Sequence, residues 1–157
     1  MIKTLPDSEL QQITDDWLTC CREVVEKHGG SLNKFLGDGF FAFWTDGKGT
    51  SGQVVQALRQ FADMQRESNP SFRVVLHFGK VFMGGAASMG EESLLGKEVH
   101  FIFRVEKLAG AIGERMLISD AARRQLPAEF ETTDAGRHQV QSFEGDFAFH
   151  SHPKLKD

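Results

Sequence analysis

Apolar residues recur at helical spacing through Leu10, Ile13, Trp17, Cys20 or Cys21, and Val24, which predicts a helix with one buried face. Asp7 or Ser8 is placed to cap its start, and Gly29-Gly30 ends it just after His28. Two apolar strand runs follow, 31–36 and 40–44, joined at Gly37-Asp38-Gly39. A carboxylate flanked by glycines between hydrophobic runs predicts a hairpin, because glycine tolerates the positive backbone angles of a tight turn. A second helix opens within 47–52, turns Val54, Val55, Leu58, Phe61 and Ala62 inward, and stops at Asn69-Pro70. Residues 72–78 and 80–83 read as strands meeting at Gly79, followed by a glycine-containing loop over 84–95. A third helix is predicted over 97–109, a short strand over 116–118, and a short helix over 120–126 stopped by Pro127. Two or three short strands fill 130–149. This alternation of helices, strands and hairpins predicts an α+β sheet with helices on one face. No repeat or linker interrupts it, so residues 1–157 are expected to be one domain.

Length and composition agree with that architecture. At 157 residues, with 40% hydrophobic and 25% charged residues, the chain is large enough for one ordinary globular core. A net charge of -4 provides no basic footprint for nucleic acid. No apolar run approaches membrane-spanning length, and the first six residues do not form a signal peptide. The adjacent Cys20 and Cys21 cannot form a disulfide framework; reduced thiols and a cytoplasmic location are expected.

Chemistry enters at two places. In the first hairpin, Lys34 interrupts an apolar strand and Asp38 occupies the tip. A lysine and a carboxylate on a rigid hairpin suit a metal-bound phosphorylated ligand. The alternative is a turn aspartate and a lysine whose stem reaches for water. In the third helix, Val99, Ile102, Val105 and Ala109 define the buried stripe, and Phe101, Phe103 and Leu108 leave little of the circumference polar. His100 and Arg104 lie four residues apart in this apolar helix, on one face. An arginine so placed calls for a fixed anion. Either a structural carboxylate, Glu98 or Glu106, or a ligand phosphate fills that role. Elsewhere, His150 and His152 read as a metal pair or a solvated tail, and Glu91 and Glu92 as surface charges in a loop.

Three blocks carry a family resemblance. They are Gly-Gly-Ser-Leu-Asn-Lys-Phe-Leu-Gly-Asp-Gly-Phe-Phe-Ala-Phe-Trp (29–44), Val-Leu-His-Phe-Gly-Lys-Val-Phe-Met-Gly-Gly (75–85) and Gly-Lys-Glu-Val-His-Phe-Ile-Phe-Arg-Val-Glu-Lys-Leu-Ala (96–109). In order and spacing the chain resembles the catalytic domain of class III nucleotidyl cyclases over nearly its whole length. Diguanylate cyclase domains share a similar core, but their Gly-Gly-Asp-Glu-Phe hairpin is not present here.

The resemblance implies a ferredoxin-like core with an antiparallel sheet, and an adenylate cyclase reaction. The ribose 3′-hydroxyl of ATP attacks the alpha-phosphate, giving cyclic AMP and pyrophosphate, with two magnesium or manganese ions assisting. Asp38 stands at the second metal-binding carboxylate. Lys34 stands at the base-reading lysine and Ser93 at its oxygen-bearing partner, a donor and acceptor pair that suits adenine. Arg104 stands at the arginine that stabilises charge on the transferred phosphorus, and His100 where an Asn usually positions the ribose. The family site forms in a head-to-tail dimer, so a homo-oligomer is expected. The first metal-binding Asp of the family precedes the first helix, and this chain begins at Met1 almost in that helix. The expectation is therefore an N-terminally incomplete domain lacking its first strand, weak or inactive as it stands. The phosphate-binding lysine of the last hairpin falls near Ser142 or Phe143, with Arg137 and His138 as local substitutes. The competing expectation is a non-catalytic dimerisation or nucleotide-sensing module.

Overall fold

A computed structural model describes residues 7–36, 39–67, 72–84 and 93–153, without the side chains of 7, 10, 34–36, 82–84 and 93–95. These residues form two compact units, divided between Phe72 and Arg73.

The first unit contains α1 (Asp7–Lys27), β1 (Ser31–Leu36), β2 (Gly39–Phe43) and α2 (Thr50–Glu67). The α1 face narrows to Cys21, Val24 and Val25, while α2 buries Val54, Val55, Ala57, Leu58, Phe61 and Ala62. The inward positions expected for α2 are all buried. Cys21 rather than Cys20 faces the core, and Cys20 is exposed. Helix α1 stops where Gly29 takes a φ of +86°, which a residue with a Cβ rarely adopts. Trp44 then closes the corner by donating its indole N–H to the His28 carbonyl at 2.8 Å. Strands β1 and β2 pair antiparallel, with a register shift between Leu32 and Lys34. Lys34 consequently pairs with Phe41, next to the Ala42 that faces Leu32, an irregularity of the bulge type.

The second unit contains β3 (Val74–Leu76), β4 (Phe82–Gly84), β5 (Ser93–Leu95), α3 (Lys97–Ile112), β6 (Met116–Ser119), α4 (Asp120–Arg123), β7 (Thr133–Gln139) and β8 (Asp146–Ser151). Its four-stranded sheet has the order β3-β6-β8-β7. The β6–β8 and β7–β8 pairs are antiparallel, as expected, but β3–β6 is parallel, so the sheet is mixed. Parallel pairing requires a crossover, and α3 supplies it. Phe101, Val105 and Ala109 of α3 bury against Leu117, Phe149 and Val140. The sheet interior is fully apolar at Met116, Leu117 and Ile118, the pattern expected of a strand covered on both faces.

Three sequence expectations are corrected here. The 72–78 and 80–83 runs do not pair with each other: β3 joins β6, and β4 joins β5 antiparallel within a segment expected to be loop. The buried stripe of α3 runs through Phe101, not Ile102, which is half-buried. The helix also continues three residues past Ala109 to Ile112, where Gly113 at φ 75° accepts the left-handed cap and donates to the Ala109 carbonyl.

Candidate functional site

Helix α3 holds the two expected catalytic residues. With Val99, Phe101, Val105 and Ala109 buried, the opposite arc carries His100, exposed, and Arg104, half-buried. Arg104 Nη1 donates to Gln141 Oε1 at 3.3 Å, in the turn between β7 and β8.

Neither neighbouring carboxylate pairs with Arg104. Glu106 accepts from Arg73 through Nε at 3.2 Å and Nη2 at 2.6 Å. Glu98 accepts from His77 Nε2 at 2.9 Å. A carboxylate only accepts, so Nε2 carries the hydrogen, and in the neutral ring Nδ1 is the acceptor. The Ser119 hydroxyl lies 2.7 Å from that Nδ1 and donates to it, while its oxygen accepts from the Ala122 N–H at 3.2 Å as the cap of α4. The His77 ring also lies 4.5 Å from the Phe101 ring, centroid to centroid. One chain of hydrogen bonds thus ties the end of β3, the first turn of α3 and the start of α4. Gly79 makes room for it, since a Cβ there would meet Glu98 Cγ and Cδ at 2.7 Å.

The other expected site residues are placed less fully. Lys34 lies on β1 in the first unit and Ser93 opens β5, paired with Gly84; the side chains of both lie outside the described residues, as does Asp38 altogether. Among the described residues, no group of three or more His, Cys, Asp or Glu could hold a metal ion. The described residues therefore do not by themselves form the divalent-ion centre that the resemblance implies. In the last hairpin, Arg137 donates to the Asp146 carbonyl at 3.1 Å, and His138 Nε2 lies 2.8 Å from the Ala135 carbonyl oxygen. Both substitutes for the missing lysine are engaged with their own hairpin. His150 is no solvated tail: it sits on β8, half-buried, 3.1 Å from Asp120 Oδ1. That bond, with the Arg124 guanidinium, holds the Asp120 carboxyl below the usual carboxylate range against the opposing effect of burial.

Sequence reasoning missed Gln141, His77 and Ser119. The signal for His77 was a histidine closing the apolar run Val74-Val75-Leu76. Nothing local pointed to Gln141.

No family model matches the chain. An adenylate cyclase of Anabaena cylindrica is 27% identical over 140 residues, covering 80% of this chain and 28% of the relative. Among solved structures, a bacterial light-regulated adenylyl cyclase superposes with a TM-score of 0.72 at 18% identity, over 99% of this chain and 48% of that one. An adenylyl cyclase from P. aeruginosa gives 0.70 at 19% identity, over 94% and 84%. A guanylyl cyclase gives 0.72 at 16%, over 94% and 82%. The chain has the fold of a class III nucleotidyl cyclase catalytic domain. The chain spans 28% of the length of the Anabaena cylindrica adenylate cyclase that it matches. Among its described residues, no helix is long and apolar enough to cross a membrane.

Proposed function

We propose that residues 1–157 are an adenylate cyclase catalytic domain whose reaction converts ATP to cyclic AMP and pyrophosphate, weak or inactive in this chain as it stands. The observation that carries this reading is the α3 face, in a chain of cyclase fold. It presents an exposed imidazole and, one turn on, a guanidinium that no described carboxylate neutralises. A half-buried, unneutralised guanidinium is a ready partner for a phosphate, whose geometry it matches through paired N–H donors. In this reading Arg104 stabilises charge on the transferred phosphorus and His100 orients the ribose. Lys34 donates to the adenine ring and Ser93 accepts from its amine. Magnesium or manganese, held by Asp38, would supply the Lewis-acid part of the chemistry. The remaining work is positioning and charge stabilisation by the protein. Two copies would join to complete the site.

His100 favours a second reading. A neutral imidazole offers one N–H donor and one acceptor on separate edges of a rigid ring, where an amide offers two donors and an acceptor on one short group, so ribose positioning is poorer and turnover low. A domain that binds nucleotide and dimerises without turnover would tolerate that exchange. The test is a cyclase assay with ATP or GTP and manganese on this chain and on one extended upstream. Cyclic AMP formation faster than cyclic GTP formation supports the first reading, and Lys34→Glu with Ser93→Cys should erode that preference. Tight ATP binding with no product from either length supports the second. GTP turnover exceeding ATP turnover would overturn the assignment of Lys34.

A further inference from the structure

Among the described residues, the hydrogen-bond partner of Arg104 is a neutral side chain, Gln141, held in a tight turn. Gln141 follows the buried Val140 and precedes Ser142, whose φ of 74° is unusual for a residue with a Cβ. Such a conformation persists where the surroundings over-determine it. Here the Phe143 N–H donates to the Val140 carbonyl at 3.0 Å. The Phe143 ring packs edge-on against Phe101 at 5.1 Å between centroids. Phe101 lies on α3 three residues before Arg104, so the turn is fastened to the helix beside the guanidinium.

An amide oxygen accepts one N–H of a guanidinium without contributing negative charge. It fixes one edge of the fork and leaves the charge, and the remaining donors, for an anion. Glu98 and Glu106, the carboxylates nearest in sequence, are engaged by His77 and Arg73, so the same helix withholds its own anions from Arg104. We propose that Gln141 is a positioning residue: it aims Arg104 at a phosphate-bearing ligand while leaving its charge uncancelled. This inference rests on the reading of the domain as a nucleotide-binding cyclase.

The experiment is calorimetric titration of the full chain with ATP and manganese, in wild type, Arg104→Ala, Gln141→Ala, Gln141→Glu and the double variant Arg104→Ala/Gln141→Glu. Thermal melts confirm that each variant is folded. Gln141→Ala should weaken binding about three- to tenfold, the value of one lost hydrogen bond. Gln141→Glu should weaken it at least about tenfold, because the new carboxylate neutralises Arg104 and repels phosphate. In the Arg104→Ala background the glutamate should cost much less, since the two residues act as one unit. Equal losses from Gln141→Glu in both backgrounds, or no loss where Arg104→Ala does weaken binding, would overturn the proposal for Gln141 alone. Wild-type chain that fails to bind ATP, or binding indifferent to Arg104→Ala, would overturn the nucleotide-site reading and this inference with it.

Discussion

Replacing Ser119 by Ala removes one oxygen with two structural duties, and their sum can be worked out. The hydroxyl oxygen caps α4 by accepting from Ala122 N–H at 3.2 Å, and losing an N-cap of this kind costs about 1 kcal/mol. It also serves His77 Nδ1 at 2.7 Å. Without it that nitrogen is left unpaired on a side chain only 10% exposed, a penalty of about 1–2 kcal/mol. The total is about 2–3 kcal/mol, and at about 2–4 °C per kcal/mol for a chain of this size the melting point should fall by about 4–12 °C. Far-UV circular dichroism is the assay, because both tryptophans, Trp17 and Trp44, belong to the first unit and their fluorescence does not report on Ser119 directly. Repeating the change in a His77→Phe background separates the two duties, leaving only the cap term of about 1 kcal/mol. A fall of less than about 1 °C, or an equal cost in both backgrounds, would refute the hydrogen-bond chain as described.

Two further predictions concern titratable groups. The Asp120 carboxyl lies below its ordinary value of 3.8, chiefly through His150. A depressed carboxyl adds stability above its unfolded pKa and loses it as pH falls through the folded value. Asp120→Asn should therefore flatten the decline in urea midpoint below about pH 4, modestly because the side chain is a third exposed; an unchanged acid limb would count against the pairing. Burial, reinforced by Cys20, pushes the Cys21 thiol up to about 12, so alkylation of native protein near pH 8 should label Cys20 alone and denatured protein at both positions. Peptide mapping by mass spectrometry that found Cys21 labelled as fast as Cys20 would refute this.

What could be read in the sequence was whatever repeats over a few residues. Val54, Val55, Leu58, Phe61 and Ala62 announce an amphipathic helix and are buried as expected. His100 and Arg104 share a helix because four residues make about one turn. Pairing partners carry no such signature. Three-residue β3 has the same apolar composition whether it joins β4 or β6, and its parallel match to Met116, Leu117 and Ile118 is settled across an intervening helix. β5 is three residues long, too short for a periodicity to register. Likewise Arg104 was recognisable as needing a partner, but Gln141 is separated from it by 37 residues. In the Ser119–His77–Glu98 chain the first bond spans 42 residues and the second 21, and both exist only once the sheet has formed.

The strand order β3-β6-β8-β7 has a consequence for how the second unit is made. Its interior strands are β6 and β8, and β8 is the last of its strands along the chain. On the ribosome, β6 emerges with Met116, Leu117 and Ile118 ready for burial, yet one of its edges stays unpaired until Ser151 has been synthesised. During that interval an apolar strand with free backbone groups is open to other chains. A nascent chain arrested between β7 and β8 should thus be a substrate for chaperones or aggregation, and emergence of β8 from the ribosome should end that exposure.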